Sequence, residues 1–122
     1  MEAIYEQSGG VKDAEAKYNL GLIYYNGDAV PKDYREAVNL WSEAAEQGNS
    51  NSQLALGMAY RNGLAVEKDY AEAYKWFNLA STKNRDAEIS RDSLEKEMFA
   101  QQIMEGQMRT RQWLDNHKRN SA

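Results

Sequence analysis

The fold of this chain is decided by a stretch that occurs twice, LGLIYYNGDAVPKDYREA at residues 20–37 and LGMAYRNGLAVEKDYAEA at residues 56–73. The two copies lie 36 residues apart, and over windows of that length (residues 13–48 against 49–84) thirteen positions are identical. So many identities at one spacing indicate an internal repeat. A period of this size is typical of stacked supersecondary units, none of which can bury its apolar face alone.

Each copy has the pattern of two consecutive helices. In the first copy, apolar and small residues recur at three- and four-residue spacing from about residue 13 to residue 26, which predicts a helix A with Leu20 and Ile23 on its buried face. Gly27 can end that helix in the left-handed conformation, and Asp33 is a favourable N-cap for a helix B. The residues expected to shape helix A and its end in both copies are Leu20, Gly21, Tyr24, Gly27, Leu56, Gly57, Tyr60 and Gly63. Helix B of the first copy is expected to bury Tyr34, Ala37, Val38, Trp41, Ala44 and Ala45.

Outside the two copies the pattern changes. We expect unit 1 at residues 12–47, unit 2 at residues 48–83, and two closing helices at residues 84–116 with a break near residues 98–100; one bent helix is the alternative. Residues 117–122 are expected to form a tail. Residues 1–8 look like the remnant of a preceding helix B, because EQSG at residues 6–9 resembles EQG at residues 46–48. A fragment of a longer repeat array is therefore one interpretation of the chain.

Composition excludes several classes of protein. Fifteen basic and nineteen acidic residues give a net charge of −4, which argues against non-specific nucleic-acid binding. No stretch approaches the roughly 20 apolar residues that span a bilayer, so we expect no membrane insertion. The first residues lack the cationic start and apolar run of a signal peptide. Because a fragment is possible, the compartment stays open.

Candidate catalytic and metal-binding residues are few. Ser93-x-x-Lys96 matches the nucleophile motif of serine acylating enzymes, but the Ser-Asp-Asn and Lys-Thr-Gly strings that complete such sites are absent from the sequence. His117 is the only histidine and there is no cysteine, so a zinc site has too few ligands. Arg109 and Arg111 begin a modest basic end that could meet an acidic partner or complement a helix C-terminus. We expect no enzyme, no cofactor and no metal.

The repeated motif resembles the Sel-one-like repeat (SLR), a relative of the tetratricopeptide repeat. It runs as A-x-x-x-L-G-x-x-Y-x-x-G at residues 16–27, V-P-K-D-Y-x-x-A at residues 30–37 and W-x-x-A-A-E-Q-G at residues 41–48. The resemblance implies an all-α fold, a right-handed α/α superhelix of helical hairpins, and a role as a scaffold or adaptor. Two departures stand out. Ala29 and Ala65 occupy the place of the family's second loop glycine, and Phe99 stands where the last helix B usually has a Ser or Thr cap.

The face of helix A opposite Leu20 carries apolar and large side chains, and in a solenoid of helix pairs helix A normally lines the concave side. A helix that is apolar all round is either buried all round or offers one face to a partner. We therefore expect a protein or peptide to bind, without catalysis, against Tyr18, Leu22, Tyr25, Leu54, Met58 and Arg61, of which Tyr25 and Arg61 should be the most exposed. The alternatives are that these residues pack on neighbouring A helices, or that the chain is a purely structural slice of an array or a self-association segment.

Overall fold

The computed structural model describes the backbone of residues 2–121 and the side chains of residues 12–119. All regular elements in that range are α-helices, which confirms the all-α prediction. They are α1 (Glu2–Asn26), α2 (Tyr34–Glu46), α3 (Ser50–Asn62), α4 (Tyr70–Ser81), α5 (Arg85–Glu95) and α6 (Ala100–Ser121).

The helices form two consecutive hairpins. α1 packs on α2 and α3 packs on α4, while α2 also packs on α3 and so joins the hairpins into an α/α solenoid. One core lies between α2 and α3, where Ala37, Val38, Trp41 and Ala45 meet Leu56. A second core forms where α4 meets Leu94 of α5. Each hairpin thus buries its apolar face only with the help of a neighbour, as the repeat predicts.

Sequence-encoded caps set the helix ends. Asp33 accepts a hydrogen bond from the backbone N–H of Glu36 at 3.1 Å and so caps α2. Asp69 does the same for α4 at 3.1 Å from the N–H of Glu72. Gly63 ends α3 with φ of 70°. Helix α6 has no side-chain cap from Phe99; instead the Gln102 side chain accepts the Phe99 N–H at 2.8 Å, which is one half of a capping box.

Glycine allows helix A to approach helix B of its own unit closely. A Cβ atom on Gly21 would lie 2.4 Å from the Trp41 indole nitrogen, and one on Gly57 would lie 2.5 Å from the Phe77 ring. Any larger residue would therefore displace an aromatic ring. This explains why glycine recurs at the same position of both units.

The end of the chain takes a course that the repeat does not predict. The expected break is present at residues 96–99, but α6 packs mainly on α4 and not on α5, so the two closing helices do not form a third hairpin of the same kind. Arg109 is not a solvated basic residue: it pairs with Asp69 at 3.1 Å and with Glu72 at 3.0 Å, which fastens α6 to the start of α4.

Helix α6 also continues through the segment expected to be a tail, as far as Ser121. Trp113 donates a hydrogen bond to the Glu46 carboxylate at 3.2 Å and packs edge-on against Trp76 at 6.1 Å between ring centroids. His117 stacks on Trp113 and lies 3.0 Å from the backbone oxygen of Glu46. These contacts hold α6 against the end of α2 and the middle of α4.

One prediction about the first helix is wrong. Leu20 and Ile23, expected in the core, are exposed, because no other helix of the described part of the chain covers this face. Tyr34 is also exposed and stacks on Tyr25. Helix α1 begins at Glu2, well before the expected start near residue 13. The proposed remnant at residues 1–8 lies outside the residues whose side chains the structure describes, and it stays a prediction.

Candidate functional site

An apolar groove of about 250 Å³ lies between the A helices of the two units. Helix α1 forms one wall and α3, with the turn that follows it, forms the other. The groove is lined by Leu22, Tyr25, Trp41, Ala55, Met58, Ala59, Asn62 and Leu64. No residue of this lining carries a charge, and Asn62 supplies the one side-chain amide.

The floor of the groove is the indole of Trp41, which comes from α2 and is only 4% exposed. Gly21 lets this ring approach α1 closely. The indole nitrogen donates a hydrogen bond to the backbone oxygen of Tyr18 at 3.3 Å, so the ring is fixed in orientation. The floor is therefore rigid, and it exists because of the same Leu-Gly motif that defines the repeat.

The α1 wall of the groove is aromatic. The ring of Tyr25 packs against Trp41 at 5.7 Å and against Tyr34 at 5.3 Å between centroids, in tilted geometry. The Lys32 ammonium lies 5.6 Å from the centre of the Tyr34 ring. Tyr25 is held from two sides yet remains 37% exposed. A rigid aromatic side chain with an open face can bind an apolar group at little cost in conformational entropy.

The structure brings together three of the six residues that the sequence singles out for binding. Leu22, Tyr25 and Met58 line the groove, and Met58 is 39% exposed. The Tyr18 side chain is half-buried and packs on the first core, and the backbone oxygen of Tyr18 accepts the Trp41 hydrogen bond. Leu54 packs on the second core, away from the groove.

Arg61 lies outside the groove as well. Its guanidinium forms an ion pair with Glu97, which follows α5. The sequence suggests an exposed arginine available to a partner carboxylate; in the structure this side chain is 21% exposed and already paired. Arg61 therefore ties α3 to the closing segment.

Five residues of the groove are not among those that the sequence singles out for binding: Trp41, Ala55, Ala59, Asn62 and Leu64. Trp41 has the spacing of a core residue, and its second role as a floor depends on where α3 lies. Leu64 could have been found from the sequence. It is an apolar residue in the loop directly after Gly63, at a position where the first unit has the charged residue Asp28.

The Ser93-x-x-Lys96 pair lies on the surface. Ser93 and Lys96 are both exposed near the end of α5. Within residues 12–119 there is no cluster of three or more His, Cys, Asp or Glu residues arranged to hold a metal ion. Over the same described part of the chain, no helix has both the length and the apolar character needed to cross a bilayer.

Comparison with known proteins gives consistent matches. A sequence model of the family described as Sel1 repeat matches residues 14–49 and 50–84. The chain is similar to the crystal structure of a protective antigen of uropathogenic Escherichia coli strains that displays an SLR fold, with 36% identity and a TM-score of 0.80. That match covers 84% of this chain and 22% of the antigen.

A second similar structure is that of a Sel1 repeat protein from Oxalobacter formigenes, with 32% identity and a TM-score of 0.67. The match covers 70% of this chain and 36% of that protein. The chain therefore spans less than half of either solved protein. No curated protein matches it.

Proposed function

Because the chain belongs to the Sel1 repeat family, whose members are generally protein–protein interaction modules, we propose that it binds a partner protein, without catalysis, in the groove between α1 and α3. The observation that carries the proposal is the groove itself. It is apolar, it has a rigid aromatic floor, and two of its wall residues, Tyr25 and Met58, are more than a third exposed.

The volume of the groove indicates what it can accept. About 250 Å³ is enough for one or two apolar side chains of a partner but is smaller than the roughly 300–1,000 Å³ of typical small-molecule sites. A leucine, methionine or phenylalanine side chain would bury its surface against Trp41 and Tyr25. Full burial of such a side chain contributes about 1.5–3 kcal/mol. The groove is thus suited to an anchor residue within a larger interface.

The flexible side chain of Met58 and the amide of Asn62 complete the recognition surface. A thioether adapts to side chains of different shape, which suits a wall that must close around an anchor. Asn62 lines the groove and is exposed, so its amide can both donate to and accept from the backbone of a bound segment. Because the lining is uncharged, we expect binding in the groove to depend little on salt.

The test compares two surface methionines. A Met58→Asp variant places a charge in the groove, whereas Met104→Asp, at a position 65% exposed on α6, makes the same change elsewhere. Each variant and the wild type would carry a photo-crosslinking residue at position 25, and cross-linked partner peptides would be identified by mass spectrometry and rebound as purified protein. We expect Met58→Asp to lose the cross-link and Met104→Asp to keep it, with unchanged helical circular dichroism in both.

Retention of the same cross-linked partner by Met58→Asp would contradict the groove as the binding site. A loss of binding by both variants would place the partner contact on a broader surface and would also contradict it. The alternative role, a purely structural slice of a repeat array, predicts no specific cross-link at position 25 in any variant.

A further inference from the structure

The C-terminal end of α2 is completed by a histidine side chain from α6. The last backbone oxygens of a helix have no partner within that helix, so they need other donors. The oxygens of Ala44 and Ala45 accept backbone N–H groups from the turn that follows α2. The oxygen of Glu46 instead lies 3.0 Å from Nε2 of His117. His117 thus joins the end of the first repeat unit to a helix 71 residues further along the chain.

Both ring nitrogens of His117 lie beside acceptors. Nε2 is 3.0 Å from the backbone oxygen of Glu46, and Nδ1 is 2.9 Å from the backbone oxygen of Trp113. A carbonyl oxygen can only accept a hydrogen bond, and a neutral imidazole has a single N–H to donate. The imidazolium ion has two N–H groups and can donate to both oxygens. The positions of the two oxygens therefore fit the charged form of the ring.

Three further features of the surroundings attract a cation at this place. The imidazole stacks on the Trp113 indole with ring centroids 3.4 Å apart and planes 18° from parallel, and an indole face attracts positive charge. The Glu46 carboxylate lies 3.5 Å from Nε2. The C-terminal end of α2 also carries the partial negative charge of the helix dipole. Each attraction is weaker or absent when the ring is neutral.

Other charged groups of the packed helices have different partners or face solvent. On α2, the acidic residue before Glu46 is Glu43, which is held by an ion pair with α1 at 3.0 Å. On α4, which packs against Trp113, the ammonium of Lys75 pairs with Glu72 at 2.7 Å. The basic residues 118–119 follow the histidine on α6, but both are exposed, so salt and water screen their repulsion of a charged ring.

We infer that His117 makes the attachment of α6 to α2 sensitive to pH: the charged ring holds the last turns of α6 against the end of α2, and loss of its proton loosens them. Arg109 fastens the earlier part of α6 to α4 through Asp69 and Glu72, and these pairs do not involve the imidazole. An ordinary histidine changes its charge between about pH 5 and pH 8. Because the folded state favours the charged ring, the stabilisation is present at the acidic end of this range and is lost as the pH rises.

The test uses the fact that His117 is the only histidine in the sequence, so one substitution removes every imidazole. The wild type is compared with His117→Phe, which keeps an aromatic ring beside Trp113 but has no N–H to donate. A control variant adds Leu114→His to His117→Phe and so returns a histidine to the exposed side of the same helix. Thermal unfolding and amide hydrogen exchange are measured at about pH 5.5 and about pH 8. Exchange is expressed as protection factors, which cancel the intrinsic effect of pH.

In the wild type we expect protection at residues 113–119 to fall about 3- to 10-fold between the lower and the higher pH. The midpoint of thermal unfolding should fall by about 2–5 °C over the same range. Neither fall is expected in His117→Phe or in the control variant with a histidine at position 114. Equal protection of the wild type at both pH values would overturn the inference, and so would protection that increases with pH, because the neutral ring would then be the bound form. The same fall in His117→Phe would also overturn it, because another group would be responsible.

Discussion

At the scale of single residues, the two loop alanines store strain that a glycine would release. Ala29 and Ala65 have φ of 66° and 59°, in the left-handed region that alanine enters at a cost of roughly 1 kcal/mol. The sequence marks both positions, because each stands where the resembling family has glycine. Both loops therefore adopt the left-handed conformation that glycine favours, although each has alanine at that position.

We predict that Ala29→Gly and Ala65→Gly each raise the free energy of unfolding by up to about 1 kcal/mol, measured by urea denaturation. Ala16→Gly is the matched control, because Ala16 is exposed inside α1 with ordinary helical geometry. There the same substitution should lower the free energy of unfolding by about 0.5–1 kcal/mol. A loss of stability at position 29 or 65 would show that the alanines are not strained.

Residue-scale features that depend on local chain geometry are predictable from the sequence. The Asp33 cap and the stop at Gly27 follow from rules that act within four residues, and both are present. The pairing of Arg61 with Glu97 is not predictable in this way. It joins residues of different units and depends on where α5 ends, so the sequence pattern leaves Arg61 looking available to a partner.

At the scale of elements, the contact of α1 with α2 depends on one missing methyl group. Any Cβ at position 21 would collide with the Trp41 indole at 2.4 Å. Because Trp41 is also the floor of the groove, we predict that Gly21→Ala lowers the free energy of unfolding by about 1–3 kcal/mol and shifts the NMR resonance of the Trp41 indole N–H. Asn19→Ala, on an exposed position of α1, is the control; similar effects from both variants would contradict the close approach.

The attachment of α6 to α4 has a pH-dependent component at Asp69. Burial alone would raise the pKa of Asp69, but the backbone N–H of Glu72 and the Arg109 guanidinium lower that pKa below its ordinary value of 3.8. A carboxylate with a lowered pKa in the folded state contributes stability above its unfolded pKa. That contribution is lost as pH falls through the folded pKa. Burial alone would lower the pKa of Arg109, but its hydrogen bonds to Asp69 and Glu105 raise it. The guanidinium therefore stays charged at every pH at which Asp69 titrates.

We therefore predict that the stability difference between the wild type and Asp69→Asn is larger at about pH 7 than at about pH 3, measured by urea denaturation at both values, because the pKa of Asp69 is lowered in the folded state. Asparagine caps helices as well as aspartate does, so the variant removes the ion pair and keeps the cap. Asp33→Asn, at the equivalent cap of α2, controls for the substitution itself. A difference that is the same at both pH values would show that the pair with Arg109 does not contribute.

The order of the helices from about residue 13 onward could be predicted, but the start of α1 and the course of α6 could not. Periodicity and the lost glycine turn locate a break near residues 98–100, and the break lies there. What turns α6 onto α4 is a set of contacts between elements, above all Arg109 with Asp69 and Glu72. Among the residues that the structure describes, no equivalent ion pair occurs within the first two units, so the repeat pattern does not predict the position of α6. Contacts between elements also explain why Tyr18, Leu54 and Arg61, half of the residues singled out for binding, lie outside the groove. Tyr18 and Leu54 pack on the two cores, and Arg61 pairs with Glu97 after α5.

At the scale of the whole molecule, α6 joins the two repeat units from outside. Its residue Trp113 contacts Trp76 of the second unit and Glu46 of the first, while α1 and α3 scarcely touch each other. In a solenoid, stability is approximately the sum of the units and their nearest-neighbour interfaces. A side chain that bridges two units adds coupling beyond that sum.

We predict that Trp113→Ala lowers the free energy of unfolding by about 2–4 kcal/mol, because a large, half-buried aromatic side chain and its hydrogen bond are lost together. Leu114→Ala, next to it and 52% exposed, should change stability by less than about 0.5 kcal/mol. Amide hydrogen exchange would locate the effect. If Trp113 couples the units, its removal should speed exchange at the C-terminal end of α2 as well as in α6. Faster exchange confined to α6 would mean that this helix only covers α4, and that the two units are joined through α2 and α3 alone.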